Sequence, residues 1–358
     1  MVGKFRVIDT GIRTGRANIA FDQALIEARA ADLVPDTIRF LRFRPAVLVG
    51  RHQILSHEID LAHCRAEGIE VGRRITGGGA LYLDEGQVGW ELVFRRASLG
   101  LFDLEAAARR ICQAAAAGLS RLGIDCAYRP RNDIEVDGRK LGGTGGFFDG
   151  DLLFYQGTVL IELDPARMLA ALRLPAAKLA KRAIASVAER IVSLRELLGS
   201  APEIAAVQAA LLAGFADHLG LVPTWGAIDA AEEARARRLY EEEIGTEAFV
   251  TSLDAPTIRG SDASAVLTRP GGSVHVDLRG DAAGFIADVL ITGDFLVTPP
   301  RVIRDLEAAL RGSEAAAAGA TIDRFFAAHT AHFLGLAPAD LRAAVVAALT
   351  ESLKINRT

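Results

Sequence analysis

The feature that most constrains this chain is a stretch of bare backbone at residues 73–87, RRITGGGALYLDEGQ. Glycine loses more conformational entropy on folding than any other residue, so three in succession need a reason. The Leu-Tyr-Leu that follows alternates as a strand does, and an acidic turn closes it. The glycines therefore stand at a strand's entrance, where they are expected to pack nothing. Two explanations are open: a sharp turn, or a ligand lying where side chains would be. No Gly-x4-Gly-Lys-Ser/Thr phosphate loop is present, and a run leading into a strand does not fit the Gly-x-Gly-x-x-Gly that opens a helix.

Around this stretch the pattern mixes strands and helices. KFRVIDTG reads as a strand, and residues 17–31 as a helix with Ile19, Ala20, Leu25 and Ala28 near one face. Residues 37–53 read as strand, turn at Pro45 and strand, and 59–68 as a helix closed by Gly68. The segment 102–123 is amphipathic, with Leu104, Ala107, Ile111, Ala115, Leu119 and Leu122 in helical register. Between 131 and 162 three strand-like runs are punctuated by DGRK and GGTGG; 165–173, 178–199 and 202–218 read as helices. After a charged helix, AAEEARARRLYEEE, the pattern restarts with hairpin-like strands, a strand ending in a rigid turn at GDFLVTPP, and helices at VIRDLEAALRG and 321–352. The expectation is an α+β protein: a first domain over 1–245 with a mostly antiparallel sheet and flanking helices, and a small α+β unit over 246–358.

Composition narrows the partners. The formal net charge is −4 with a pI near 6.0, so the basic domain of a nucleic-acid binder is missing. No eighteen-residue apolar run marks a membrane span, and no apolar leader follows MVGKF. Cys64, Cys112 and Cys126 are odd in number and widely spaced, which suits neither a disulfide framework nor a zinc site and points to a reducing cytoplasm.

Three stretches could carry chemistry. In the first, Arg73 and Arg74 offer forked cationic donors for phosphate or carboxylate and Thr76 a hydroxyl, while Gly77, Gly78 and Gly79 let backbone N–H groups approach an anion. In the second, RPRNDIEVDGRKLGGTGGF (129–147), Lys140 lies between a turn and glycine-rich backbone, placed either to reach an anionic ligand or to sit solvated on a hairpin. Asn132 and Asp133 precede a strand there, and Asp133 could hold a metal near phosphates or simply start a turn. In the third, 178–197, Lys178, Lys181 and Arg182 precede Ser186, Val187 and Arg190 on what is otherwise an ordinary charged helix. His52, His57 and His63 lack metal spacing, and His329 and His332 sit one turn apart on a C-terminal helix. Cys126 is a nucleophile in type, without a visible partner base.

Taken together, in order and spacing, these stretches resemble the lipoate–protein ligase family over most of the chain. GRANIAFDQAL and FLRFRPAVLVGRHQ are similar to its first two blocks. RRITGGGALYLDEGQ resembles its Arg-Arg-x-Ser/Thr-Gly-Gly-Gly-Ala loop, and RNDIEVDGRKLGG the block with its essential lysine. QGTVLIELD and KRAIASVAERIVSL resemble the strand and adenylate-binding loop that follow, and ADVLITGDF belongs to a part similar to the small accessory domain. The resemblance implies the catalytic fold shared by biotin and lipoate ligases. It implies a two-step reaction: ATP and lipoate give lipoyl-AMP and pyrophosphate, and the lipoyl group passes to a lysine of an acceptor protein domain. Lys140 would bridge carboxylate and α-phosphate. Arg74, Thr76 and the backbone of Gly77, Gly78, Gly79, Ala80, Leu81 and Tyr82 would hold the adenylate, with Asn132, Asp133, Gly157, Thr158 and Lys181 beside it. Mg2+ would screen the leaving pyrophosphate, Asp133 being its candidate ligand, and the loop near Lys181–Arg190 would close over the adenylate.

Departures from the family pattern fall on the pocket wall. Leu83 stands where His is common and Gln87 where Asn is; Gly142-Gly143-Thr144-Gly145 replaces Ser-Gly-Ser-Ala, and Gln156-Gly157-Thr158 replaces His-Gly-Thr. They imply a specialised acceptor, such as a lipoyl-carrying protein tied to sulfur oxidation. Two rival expectations are an octanoyl or lipoyl transferase using Cys126 without ATP, and a non-catalytic module that binds lipoyl or adenylate ligands.

Overall fold

The computed structural model describes residues 3–173, 189–254 and 263–355. In chain order the first strands are β1 (Gly3–Arg13), β2 (Thr37–Phe43), β3 (Ala46–Val49), β4 (Glu70–Arg73), β5 (Leu81–Leu83) and β6 (Gln87–Arg95). They are followed by β7 (Ala127–Arg129), β8 (Asp133–Val136), β9 (Arg139–Asp149), β10 (Leu152–Leu160) and β11 (Leu221–Trp225). Eight form one sheet in the order β11-β1-β2-β6-β10-β9-β8-β7. Only the β1–β11 and β1–β2 pairs are parallel; the rest are antiparallel. The α+β expectation with a mostly antiparallel sheet holds. A smaller sheet, β4-β3-β5, stands beside it.

Each face of the main sheet carries its own core. Val88, Trp90 and Leu92 of β6 join Ile38 and Phe40 of β2 against the Leu104–Ser120 and Ile204–Leu219 helices. The alternate residues Leu41, Phe43 and Val93 face the Gly15–Ala30 helix, with Ala236 and Leu239 of the Ala230–Leu239 helix. The period of two that separates faces on a strand thus assigns the two layers. Helix starts follow local rules: the side chains of Thr14, Asp103 and Asp229 accept N–H groups from Ala17, Ala106 and Glu232.

The C-terminal part builds a third core from β12 (Ala263–Arg269), β13 (Gly272–Gly280) and β14 (Ile286–Gly293), with the Val302–Leu310, Ala318–Ala328 and Pro338–Ile355 helices. β15 (Leu296–Thr298) and β16 (His332–Leu334) form a two-stranded ribbon whose Leu296 and Leu334 pack into the core of the main sheet. Val250 packs with the small sheet.

Four local expectations change. In the 178–199 stretch, read as a helix, residues 189–193 are not helical: Ile191 bridges Lys140, and of the stretch's described residues only Leu194–Leu198 form a helix. GGTGG does not interrupt a strand; it lies inside β9. A Cβ at Gly142 would stand 2.1 Å from the Thr158 carbonyl oxygen and one at Gly146 2.3 Å from that of Phe154, so the glycines mark close approach of β10. The 321–352 stretch is not one helix, because β16 intervenes to pair with β15. His329 and His332 are therefore not one turn apart on a helix. His329 follows the Ala318–Ala328 helix and stacks on Phe325, while His332 is in β16. The 59–68 helix is shorter, Leu61–Ala66, capped by Asp60.

Candidate functional site

One cavity of about 370 Å3 lies on the face of the main sheet that carries Gln87, Gly89 and Glu91 of β6. The register aligns these with Leu160, Thr158 and Gln156 of β10, all lining it. The glycines after β4 and the backbone of β9 close its sides, and Ile19, Leu41, Phe43 and Leu48 supply apolar wall. Arg74, Thr76, Gly77, Gly78, Gly79, Ala80, Leu81, Tyr82, Asn132, Lys140, Gly157 and Thr158 all line it. Residues more than eighty positions apart in sequence are thus brought to one hollow. Lys181, with Lys178, Arg182, Ser186 and Val187, lies outside the described residues. The end of that stretch is described: Lys140 donates its N–H to Arg190 O (2.7 Å) and accepts at its carbonyl from Val192 N (2.9 Å), so its backbone is fixed.

The Lys140 amine reaches Asp133 Oδ1 at 2.7 Å. Asp133 Oδ2 accepts from Arg129 at 2.8 Å. Burial raises the Asp133 carboxyl, but Lys140 and Arg129 outweigh it and hold it below the usual carboxylate range. Gly143 is bare because a Cβ there would stand 2.8 Å from Lys140 Nζ. Asn132 donates to Thr144 O (2.6 Å), and Thr144 Oγ1 donates back to Asn132 O (2.9 Å) while bonding Tyr155 OH (2.7 Å) and Cys112 Sγ (3.2 Å). With both Asp133 oxygens committed to cations, and no group of three or more His, Cys, Asp or Glu placed to hold a metal among the described residues, the site offers no acidic cage for an ion.

The two arginines before the glycine run point opposite ways, as neighbours at a strand end must. Arg73 turns from the cavity and donates to the carbonyls of Gly50, Gln53 and Val250. Arg74 turns in. It is 4% exposed and donates to the carbonyls of Leu48, Gly77 and Gly79 at 2.7, 3.0 and 2.8 Å. It makes no ion pair among the described residues, and burial alone pulls it down to about 10, still cationic at neutral pH. Thr76 Oγ1 receives Arg74 Nε (3.3 Å) and Gln156 Nε2 (2.9 Å), so Gln156 ties the glycine loop to the sheet.

The three glycines differ in their surroundings. A Cβ on Gly77 would stand 2.1 Å from Phe295 O, so the loop does pack something: backbone of the C-terminal part. Gly78 has φ +89° and gives its N–H to that same oxygen. Gly79 is the least crowded of the three, its missing side chain meeting only Asp294 Cβ at an ordinary contact distance of 3.9 Å. The sharp turn therefore applies at Gly78, and at Gly77 the reason is a close backbone approach from a distant segment.

Sequence reasoning missed Leu296, which reaches the cavity from β15, and a charged cluster of Arg39, Asp22 and Glu91 beneath it. An available signal was Glu91 itself, a charge inside WELVF, a run buried on both faces. Leu83 and Gln87 also line the wall. None of the chain's three cysteines lines the cavity, and all three are buried. Cys126 belongs to the core beneath the sheet, where burial pushes its thiol up to about 12. His52 is stacked on Phe295 and likewise off the cavity.

A family model of the lipoyl protein ligase A/B catalytic domain matches residues 14–216, more than half of the chain. The chain belongs to this family. An octanoyltransferase LipM of Symbiobacterium thermophilum is 31% identical over 68% of the chain and 97% of its own length. Lipoate-protein ligase A subunit 1 of Thermoplasma acidophilum is 28% identical over 71% of the chain and 98% of its own length. Among solved structures, P. falciparum LipL1 in complex with lipoate superposes with a TM-score of 0.74 at 17% identity, over 96% of the chain and 99% of that structure. That likeness shows the fold, including the C-terminal part. The chain is thus an enzyme of the lipoate ligase and octanoyltransferase family, and among the described residues no helix is long and apolar enough to cross a membrane.

Proposed function

We propose that the protein is an ATP-dependent lipoate–protein ligase, and the observation that carries the reading is a cavity with a lysine in it and no thiol. Joining a carboxylate to an α-phosphate brings two anions together, so the site must supply positive charge in a fixed geometry. Lys140 does so by exchanging Asp133 for the two reacting groups; its amine is the mobile part of an otherwise pinned residue. Arg74 adds a buried cation that makes no ion pair among the described residues and, by holding Gly77 and Gly79, keeps the loop in shape for the adenylate. Asn132, Thr158 and the backbone of Gly157 complete that wall. Magnesium is assigned to the nucleotide's phosphates as part of the substrate, with Asp133 Oδ1, released when Lys140 turns to the reacting groups, as its candidate protein ligand. The apolar walls take the acyl chain. An acceptor lysine from a lipoyl-carrying domain, a specialised one given the altered wall at Leu83 and Gln87, then receives the acyl group. The sequence stretch around Lys181 is assigned to exclusion of water from the mixed anhydride. The domain division near residue 246 is retained, with the C-terminal unit contributing Leu296 to the cavity, and unpaired cysteines suit a cytoplasmic setting.

The similarity to octanoyltransferases favours a second reading, acyl transfer without ATP through a cysteine. It requires a reactive thiolate at the site, whereas burial holds the Cys126 thiol protonated and away from the cavity. Lipoate-dependent pyrophosphate release from ATP, wild type beside Lys140→Ala, decides between them. Release that needs lipoate and vanishes in the variant supports the ligase. No release with lipoate or octanoate, with octanoyl transfer from a carrier protein lost in Cys126→Ser, establishes the transferase.

A further inference from the structure

The floor of the cavity holds charged groups that the ligase chemistry does not use. Across three strands the register places Gln156, Glu91 and Arg39 side by side. Arg39 NH1 lies 3.0 Å from Glu91 Oε2 and 2.5 Å from Asp22 Oδ1, while NH2 reaches Asn18 Oδ1 at 2.6 Å. All three charged side chains are at most 1% exposed. One guanidinium thus faces two carboxyls, and Asp22 Oδ2 has no hydrogen-bond partner. Burial raises both carboxyls, Glu91 strongly, against the opposing pull of Arg39.

Taking such a triad out of water carries a large desolvation cost, and well-packed apolar residues usually serve a fold as well or better. These charges therefore call for a role beyond packing, and one of them, Glu91, lines the cavity. Its place is specific. Gly145 of β9 is level with Gln156, and Gln156 with Glu91, so from Gly143, over which the Lys140 amine sits, Glu91 is two residues along and two strands across, roughly 12 Å at sheet spacings. An eight-carbon acyl chain spans most of that distance. The apolar wall at Leu41, next to Gly89 in the register, borders the same end.

We infer that Glu91 is a specificity-determining residue: it offers a hydrogen-bonding group to the far end of the bound acyl chain and selects chains with a polar or sulfur-bearing end over plain alkyl chains. This rests on the reading of the cavity as an acyl site. A site built to hydrogen-bond a substrate rejects the analogue that leaves its polar group unpaired. Asp22 and Arg39 are positioning residues that hold the carboxyl in place.

The test uses the full-length protein with three acids of matched chain length: lipoate, 8-hydroxyoctanoate and octanoate. Direct binding by calorimetry is read beside acid-dependent pyrophosphate release, so absence of ATP chemistry and absence of selectivity are separate results. The wild type is expected to bind the first two at least tenfold more tightly than octanoate. Glu91→Leu should shift that ratio at least tenfold toward octanoate, and Glu91→Gln, which keeps a polar end, should largely retain it. Because Glu91→Leu leaves Arg39 and Asp22 in the core, a triple variant, Asp22→Asn/Arg39→Met/Glu91→Leu, is measured alongside; it should fold and show the same shift. Equal binding of the three acids by wild type, or a ratio unchanged in the folded apolar variants, overturns the inference.

Discussion

Gly143→Ala isolates the position of the Lys140 amine from everything else in the site. Gly143 has no left-handed φ, so alanine suits its strand backbone. The new Cβ would stand 2.8 Å from Nζ and 2.9 Å from Cε of Lys140, where ordinary contact begins at 3.4 Å. Lys140's backbone cannot yield, being bonded to Arg190 and Val192, so the side chain moves by roughly 0.6 Å or more. Displacements of about 1 Å at a reacting centre cost on the order of 100-fold, so kcat for pyrophosphate release should drop about 10- to 100-fold. Stability should change by less than about 1 kcal/mol, because only the end of a half-exposed chain is moved. Gly142→Ala is the contrast. Its Cβ meets backbone, Thr158 O at 2.1 Å, and should cost about 1–3 kcal/mol in folding as overpacking does. Single-turnover pyrophosphate release and urea melts measure both. A Gly143→Ala enzyme within twofold of wild type would refute the idea that Lys140 must occupy the space over that glycine.

Other outcomes follow from the same structure. Cys126→Ser should leave acid-dependent pyrophosphate release within twofold of wild type; a loss above tenfold would restore the thiol mechanism. Glu307 is buried in the C-terminal core, accepts Ile291 N–H at 2.8 Å, and is pushed by burial from 4.5 up to about 7. Its folded state holds the extra proton, so the contribution is complete below pH 4.5 and lost as pH rises through about 7, on the order of 3 kcal/mol. Glu307→Gln should flatten the decline in Tm between pH 5 and 8; parallel profiles would contradict it. His52 Nε2 is buried without a hydrogen-bond partner, and burial with nearby Arg51, Arg73 and Arg304 pulls the imidazole to about 3. Neutral throughout the working range, it should be replaceable: His52→Phe keeps the stack on Phe295 and removes an unmet polar atom worth about 1–3 kcal/mol. Tm should hold or rise, and a clear fall would show a hidden role for the ring.

Much of this protein is decided by local sequence. The Leu104–Ser120 helix follows from a 3.6-residue apolar period and Asp103 as cap, and β5 from the Leu-Tyr-Leu alternation after the glycines. The glycine run at 77–79 and the lysine at 140 marked the cavity because bare backbone, and a cation set between a turn and more glycines, are visible residue by residue. Only the tertiary structure separated Arg73, turned to the carbonyls of Gly50, Gln53 and Val250, from Arg74, turned into the cavity. It alone explained why Gly77 is bare, since the colliding atom belongs to Phe295, more than two hundred residues away. It alone put GGTGG inside a strand and joined Arg39 to Asp22 and Glu91. The physical reason is the same in each case. Propensity and periodicity act over a few residues, whereas a close backbone approach, a strand register or a buried ion pair is a relation between distant segments, fixed when the sheet assembles.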